Sequence, residues 1–283
     1  MTDTESPQVL ERVVPPWISA GILQQGYYHL GGAVARAVDV AGLLPGELLD
    51  TWALHYDGSP FVDHPDHVDV LRFPVHPLMQ LTTPAPTADR PWPTYPMGFL
   101  FGETVAPVWN LERTRVPVGA ELWRCTADGE ALLATFAGPA MGWQGASGYF
   151  PPIHFVGARA KWRDLDVPAE LSRDRNSVEL TVVGSSGPDG FEQVRPDVWR
   201  REVPRSEVEQ FFELVLACTY RDLPCRILQH TAQQSRLLLL TDDSDDARRV
   251  GAEEADIGVF EVTAPTADLA DVGGTTREMA AAS

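Results

Sequence analysis

The sequence predicts an α+β protein of two domains, the C-terminal one built from a duplicated strand-loop-strand-helix unit around an antiparallel sheet. Three observations predict it. Lys161-Trp162-Arg163-Asp164-Leu165 returns as Thr219-Tyr220-Arg221-Asp222-Leu223, at an offset of 58. Residues 190–208 align without a gap on residues 251–269, at an offset of 61, with Gly, Glu, Val and Pro kept at four positions. Each block holds residues alternating with the period of a half-buried strand, which calls for a sheet. Two copies are too few for a solenoid, so one domain closing on its own twin is expected.

In chain order, residues 1–14 read as a lead-in. Residues 17–43 carry apolar residues at helical spacing, with Gly26, Gly31 and Gly32 as points where one helix breaks into two. Residues 58–98, dense in Pro and His, predict turns and short strands. Residues 120–125 and 131–136 flank Asp128-Gly129, the mark of a hairpin. Four glycines and three prolines between Gly138 and Pro152 mark a hinge, which sets the domains at 1–148 and 149–283. The copies then run over about 157–214 and 215–272. In the first, Val178, Leu180 and Val182 alternate as a strand, and Val198 to Val203 form another. Ser206 and Glu209 have capping-box spacing, and Val208, Phe211, Phe212, Val215 and Leu216 make a helical stripe behind them. In the second, residues 237–240 and 258–262 are the strands. Between them, acids precede bases and Gly251 closes the run, the punctuation of a short helix.

The formal net charge is -18, with Lys161 the single lysine among 22 basic residues. The acidity is uneven: residues 1–150 hold 16 acids against 7 bases, 151–240 hold 13 against 12, and 241–283 hold 11 against 3. Such a surface repels nucleic acid and anionic membrane and draws basic partners. Cys125, Cys218 and Cys225 are odd in number and match no zinc spacing, which argues for buried thiols in a reducing compartment. With a polar, acidic start and no apolar run of about 18 residues, a cytoplasmic location is expected.

Catalytic motifs are sparse. Ser147 and the Gly184-Ser185-Ser186-Gly187 turn lack the spacing of a nucleophile elbow, and no phosphate-cradling glycine loop occurs. No catalytic residue and no cofactor is therefore expected. His55, His64, His67 and His76 with Asp57, Asp63, Asp66 and Asp69 are the only metal-like cluster, with His64, Asp66 and His67 as its weak candidates; Pro65 breaks any helix that would align them. The Arg-Asp pairs beside Trp162 and Tyr220 predict a guanidinium on each ring, a structural device. The strongest binding candidates are Asp242, Asp243, Asp245, Asp246, Glu253, Glu254 and Asp256, seven carboxylates in fifteen residues. A helix start needs fewer.

Gly190, Glu192, Val194, Pro196, Val198, Trp199, Val203, Pro204, Ser206, Glu207 and Val208 make a phrase that resembles actinobacterial immunity proteins of polymorphic toxins. It is most similar to the immunity factors of mycobacterial necrotizing toxins, which are NAD glycohydrolases. Gly251, Glu253, Val259, Phe260, Pro265 and Asp268 carry it more weakly, and the Ser-Glu of the phrase is missing there. The resemblance spans residues 155–272. It implies a non-catalytic cytosolic inhibitor that binds a cognate toxin or another basic protein surface. A hydrolase with its site in the His- and Asp-rich half, or a scaffold of a secretion or phage-like system, are the alternatives.

Overall fold

A computed structural model describes residues 8–56, 59–61, 66–82, 97–101, 104–241 and 243–279, with backbone alone over 97–107. The chain forms two compact units, residues 1–112 with 116–150, and residues 113–115 with 151–283.

The N-terminal unit begins with β1 (Val9–Val14), α1 (Pro16–Gln25), β2 (His29–Arg36), α2 (Ala37–Val40) and α3 (Pro45–Thr51). It continues with β3 (His67–Pro74), β4 (Leu81–Thr82), β5 (Met97–Phe101), β6 (Thr104–Arg115), β7 (Glu121–Thr126), β8 (Gly129–Phe136) and β9 (Trp143–Gln144). They make one sheet in the order β4-β6-β2-β1-β3-β7-β8-β9, with β5 on β6. The second helix expected before residue 43 is mostly strand β2. Gly31 and Gly32 each weaken a helix by about 1 kcal/mol, whereas β1 and β6 flank β2 and bond its backbone. α1 stops where expected. Gly26 takes φ 74 there, and a Cβ on it would lie 2.7 Å from the Gly148 carbonyl oxygen. Ile18 and Ile22 press into a core of Leu10, Leu30, Val34, Leu71, Phe73, Leu122 and Phe136. The expected hairpin is present as β7 and β8, with Ala127 and Asp128 in the turn and Gly129 opening the second strand.

The C-terminal unit is β-rich and antiparallel. Its first stretch is β10 (Arg159–Trp162), β11 (Leu165–Leu171), β12 (Ser177–Val183), β13 (Glu192–Arg195), β14 (Val198–Pro204) and a 3-10 turn (Arg205–Glu207). β15 (Gln210–Tyr220) leads into β16 (Leu223–His230), β17 (Gln234–Leu239), α4 (Ser244–Val250), β18 (Glu253–Asp256), β19 (Val259–Pro265), a second 3-10 turn (Thr266–Asp268) and β20 (Ala270–Glu278). The sheet order is β13-β14-β12-β11-β10-β15-β16-β17-β19-β18, with β20 on β15.

The predicted helix after Pro204 is overturned. Ser206 makes no cap hydrogen bond, the 3-10 turn ends at Glu207, and Phe211 through Leu216 lie in β15. That run is aromatic and aliphatic on successive positions, so both faces can be buried, and Phe211, Phe212 and Glu213 are. Neighbours on both sides hold its backbone. β10 pairs with Gln210–Phe212, β16 with Leu216–Tyr220, and β20 with Phe212–Thr219.

Registers recur along this unit. Arg159 faces Pro168 and Trp162 faces Leu165; at the offset of 58, Ala217 faces Arg226 and Tyr220 faces Leu223. Glu192 faces Arg200 and Gln193 faces Trp199, with a bulge before Arg195; at the offset of 61, Glu253 faces Glu261 and Glu254 faces Phe260, with the same bulge before Asp256. Ala169 faces Leu180 and Ile227 faces Leu237, so the middle strands stand 57 apart. Nearer the turn, Leu171 faces Val178 and Gln229 faces Arg236, again 58 apart, so the one-residue loss sits opposite the bulge between Ile227 and Gln229, and the loop that holds α4 gains four. The two arginines sit on their rings as expected, Arg163 at 4.2 Å from the Trp162 centroid and Arg221 at 5.2 Å from that of Tyr220.

Candidate functional site

α4 and β18 carry the predicted acidic segment to one end of the eleven-stranded sheet. The helix forms where its charges favour it. Asp243 is the N-cap, its Oδ1 accepting from the amides of Asp245 at 2.8 Å and Asp246 at 3.4 Å. Ala247 and Val250 are the buried face, and Gly251 closes the helix at φ 75. Arg248 reaches Asp245 at 2.5 Å and Arg249 reaches Asp246 at 3.0 Å. Such exposed i,i+3 pairs are worth a few tenths of a kcal/mol and leave the carboxylates open to a stronger cation.

β18 is an edge strand with β19 as its neighbour. The matching edge of the first stretch has Glu192 bonded to Arg200 at 2.5 Å. At the second edge the residue opposite Glu253 is Glu261, and Glu261 turns to Arg236 at 2.5 Å and Arg113 at 2.9 Å. Glu253 keeps no basic partner among the described residues, while Glu254 accepts the Gly258 amide at 2.9 Å. Charges on an edge also keep it from pairing with other strands. The surface thus presents Asp243, Asp245, Asp246, Glu253 and Glu254. It has acceptors for ammonium or guanidinium groups.

Asp256 leaves this set. It is 1% exposed, with Oδ2 3.7 Å from Arg113 Nη1 and Oδ1 accepting the Ile257 amide. Its burial follows from the bulge, which turns its side chain away from that of Glu254. Asp242 lies outside the described residues.

The C-terminal unit also holds a buried charge cluster that sequence reading missed. Arg113 serves Asp256 and Glu261. Arg115 donates to the carbonyls of Ala158 and Ala169 and lies 3.5 Å from Glu170. Arg226 donates to the Arg113 carbonyl at 2.8 Å, the Phe155 carbonyl at 3.2 Å and Glu213 Oε1 at 2.8 Å. Glu213 also accepts the Gly157 amide at 3.2 Å. Charges removed from water persist only when so paired. The alternating charges of 111–115, Leu-Glu-Arg-Thr-Arg, were the available signal, but their partners are far off in sequence.

The described members of the His and Asp cluster do not assemble around one point. His55 pairs with Asp50 at 2.7 Å, His76 Nδ1 accepts the Leu78 amide, and Asp69 is buried against Arg124 and Ser19. Asp66 and His67 are exposed, and His64, Asp57 and Asp63 lie outside the described residues. Among the described residues no three His, Cys, Asp or Glu side chains are placed to share a metal ion. Ser235 Oγ lies 2.9 Å from His230 Nδ1, but the serine is 1% exposed and also meets Thr266, so the group closes a hairpin. Burial pushes the thiols up, Cys125 and Cys225 to about 12 each, which keeps them largely protonated at neutral pH.

No family model, no curated protein and no solved structure matches the chain. Among the described residues no helix is long and apolar enough to cross a membrane.

Proposed function

We propose that this protein is a non-catalytic cytoplasmic inhibitor that engages a basic surface on a partner protein, most concretely an immunity protein neutralising a cognate toxin enzyme. One observation carries the reading: the acids of α4 and β18 face solvent together at one sheet end, where the matching edge neutralises its glutamate with Arg200. An acidic rim aimed at a basic cleft speeds encounter and fixes register. An NAD glycohydrolase is the toxin that the resemblance suggests.

We infer as well that residues 157–214 and 215–272 are two copies of one ancestral unit, with a strand rather than a helix as its last element. The corresponding registers, at an offset of 58 in the first hairpin of each stretch and 61 in the last, support this. So does the turn pair at Arg163 and Arg221, each guanidinium on the preceding ring. The test of function is neutralisation. The product of the neighbouring gene, assayed for its activity, should be inhibited by the wild-type chain at near-stoichiometric ratio. Loss of inhibition on changing Asp245, Asp246, Glu253 and Glu254 to Asn or Gln would support the acidic surface. A neighbour that is neither bound nor inhibited removes it as the partner.

A further inference from the structure

Cys218 on β15 and Cys225 on β16 face each other in register, the third pair out from the two-residue turn at Arg221 and Asp222. Both turn residues have positive φ, 48° and 67°, which closes the hairpin tightly. Directly opposed residues of an antiparallel pair share one face, with Cα atoms about 4.5–5.5 Å apart. That span falls inside the roughly 4.4–6.8 Å a disulfide requires. Both side chains point into one apolar cluster with Tyr220, Leu223, Ile227 and Leu237. The thiols lie within hydrogen-bonding reach of each other, and burial holds both in the protonated form. Cys225 is fully buried, whereas Cys218 keeps 5% exposure.

The first stretch shows what the scaffold needs at this place. Its equivalent pair, found by the same offset as the turn, is Ala160 facing Val167. Two small apolar groups therefore suffice for packing, and the second stretch has two facing thiols instead. Cys125 is in the other unit, on β7, and shares no pair with them.

We propose that Cys218 and Cys225 are a modification site, a cross-strand dithiol that a low-molecular-weight disulfide converts reversibly into a disulfide. The Cys218 thiolate, the more accessible of the two, attacks one sulfur of the small disulfide and expels one small thiolate, leaving a mixed disulfide. The Cys225 thiolate then attacks the Cys218 sulfur and expels the second. The protein loses two protons and two electrons, and the oxidant leaves as two thiols. The bond ties β15 to β16, and β15 is the strand that pairs with β10, β16 and β20.

The experiment uses the reduced full-length chain, incubated without denaturant with oxidised glutathione, quenched in acid, alkylated and weighed intact. The expected product is lighter than the fully alkylated protein by the mass of two alkyl groups. Digestion without reductant should join the peptides of Cys218 and Cys225 and leave Cys125 alkylated, and dithiothreitol should reverse the link. The rate should rise between pH 7 and pH 9 as the thiolate fraction grows. C218A and C225V, which copy the first stretch, should each abolish the intramolecular link. Three results overturn the proposal: both thiols still alkylated after prolonged exposure, a link that forms only in denaturant, or a bridge that includes Cys125. The wild-type protein alone decides, so a variant that fails to fold leaves the test intact.

Discussion

Glu213 shows how little a residue's type says about its place. It stands in Phe211-Phe212-Glu213-Leu214 and is 2% exposed, because Arg226 donates to it from β16 and Arg277 lies 3.7 Å away on β20. Removing one partner of such a pair leaves the other charge buried without compensation, at about 3–5 kcal/mol. Glu213→Ala should lower the urea midpoint accordingly, and a loss under about 1 kcal/mol would mean the cluster is hydrated. Asp256 teaches the same lesson from the opposite side. It reads as one acid of a run, yet the bulge turns it inward and Arg113, far upstream, meets it there. A local pattern cannot report a partner that distant. Arg72 bridges Glu130 and buried Glu11. Its hydrogen bond holds the Glu130 carboxyl below the ordinary 4.5, while burial pushes Glu11 up. The Glu130 contribution is therefore complete above pH 4.5 and is lost as pH falls through the lowered folded value. Glu130→Gln should flatten that part of the urea-midpoint profile below pH 4.5; an unchanged profile would place the acid sensitivity elsewhere.

Among the elements, those set by local chemistry were legible. The β7–β8 hairpin, strands β12, β14, β17 and β19, and α4 with its Gly251 stop all follow from turn residues, alternation and charge order. The cap of α4 is Asp243, and Ser244 is the first residue of the helix. Asp243→Ala should cost about 1 kcal/mol by denaturant unfolding, with little effect from Ser244→Ala. β2 and β15 were not legible as strands. Apolar residues at i, i+3 and i+4 fit a helix, and the same residues fit a strand covered on both faces. Partner strands settle such a case, and they lie elsewhere in the chain. Amide exchange checks the outcome directly. The amides of Leu216, Ala217 and Thr219, which stand between β16 and β20, should exchange far more slowly than those of β20, which has β15 as its neighbour. Equal exchange along the two strands would contradict that pairing.

For the molecule as a whole, the two stretches that look alike in sequence pair their residues at offsets of 58, 57 and 61 in the C-terminal unit, and the Pro- and Gly-rich stretch runs through the 150/151 unit boundary. The N-terminal sheet was hardly legible, because its strands pair across long intervals and its helices are short. The acidic surface was legible as a segment of the chain, and only the fold separates its five solvent-facing members from the buried Asp256. Net charge acts at this scale: a field of -18 favours basic partners at a distance, and the α4–β18 edge is where the account lets them land. The decisive measurement is the association rate with the neighbouring gene's product, by stopped flow across ionic strength. Wild-type association should be fast at low salt and fall steeply as salt rises. With Asp245→Asn, Asp246→Asn, Glu253→Gln and Glu254→Gln combined, it should be roughly tenfold slower at low salt and nearly independent of salt. An unaltered rate and salt slope in that variant would contradict the account.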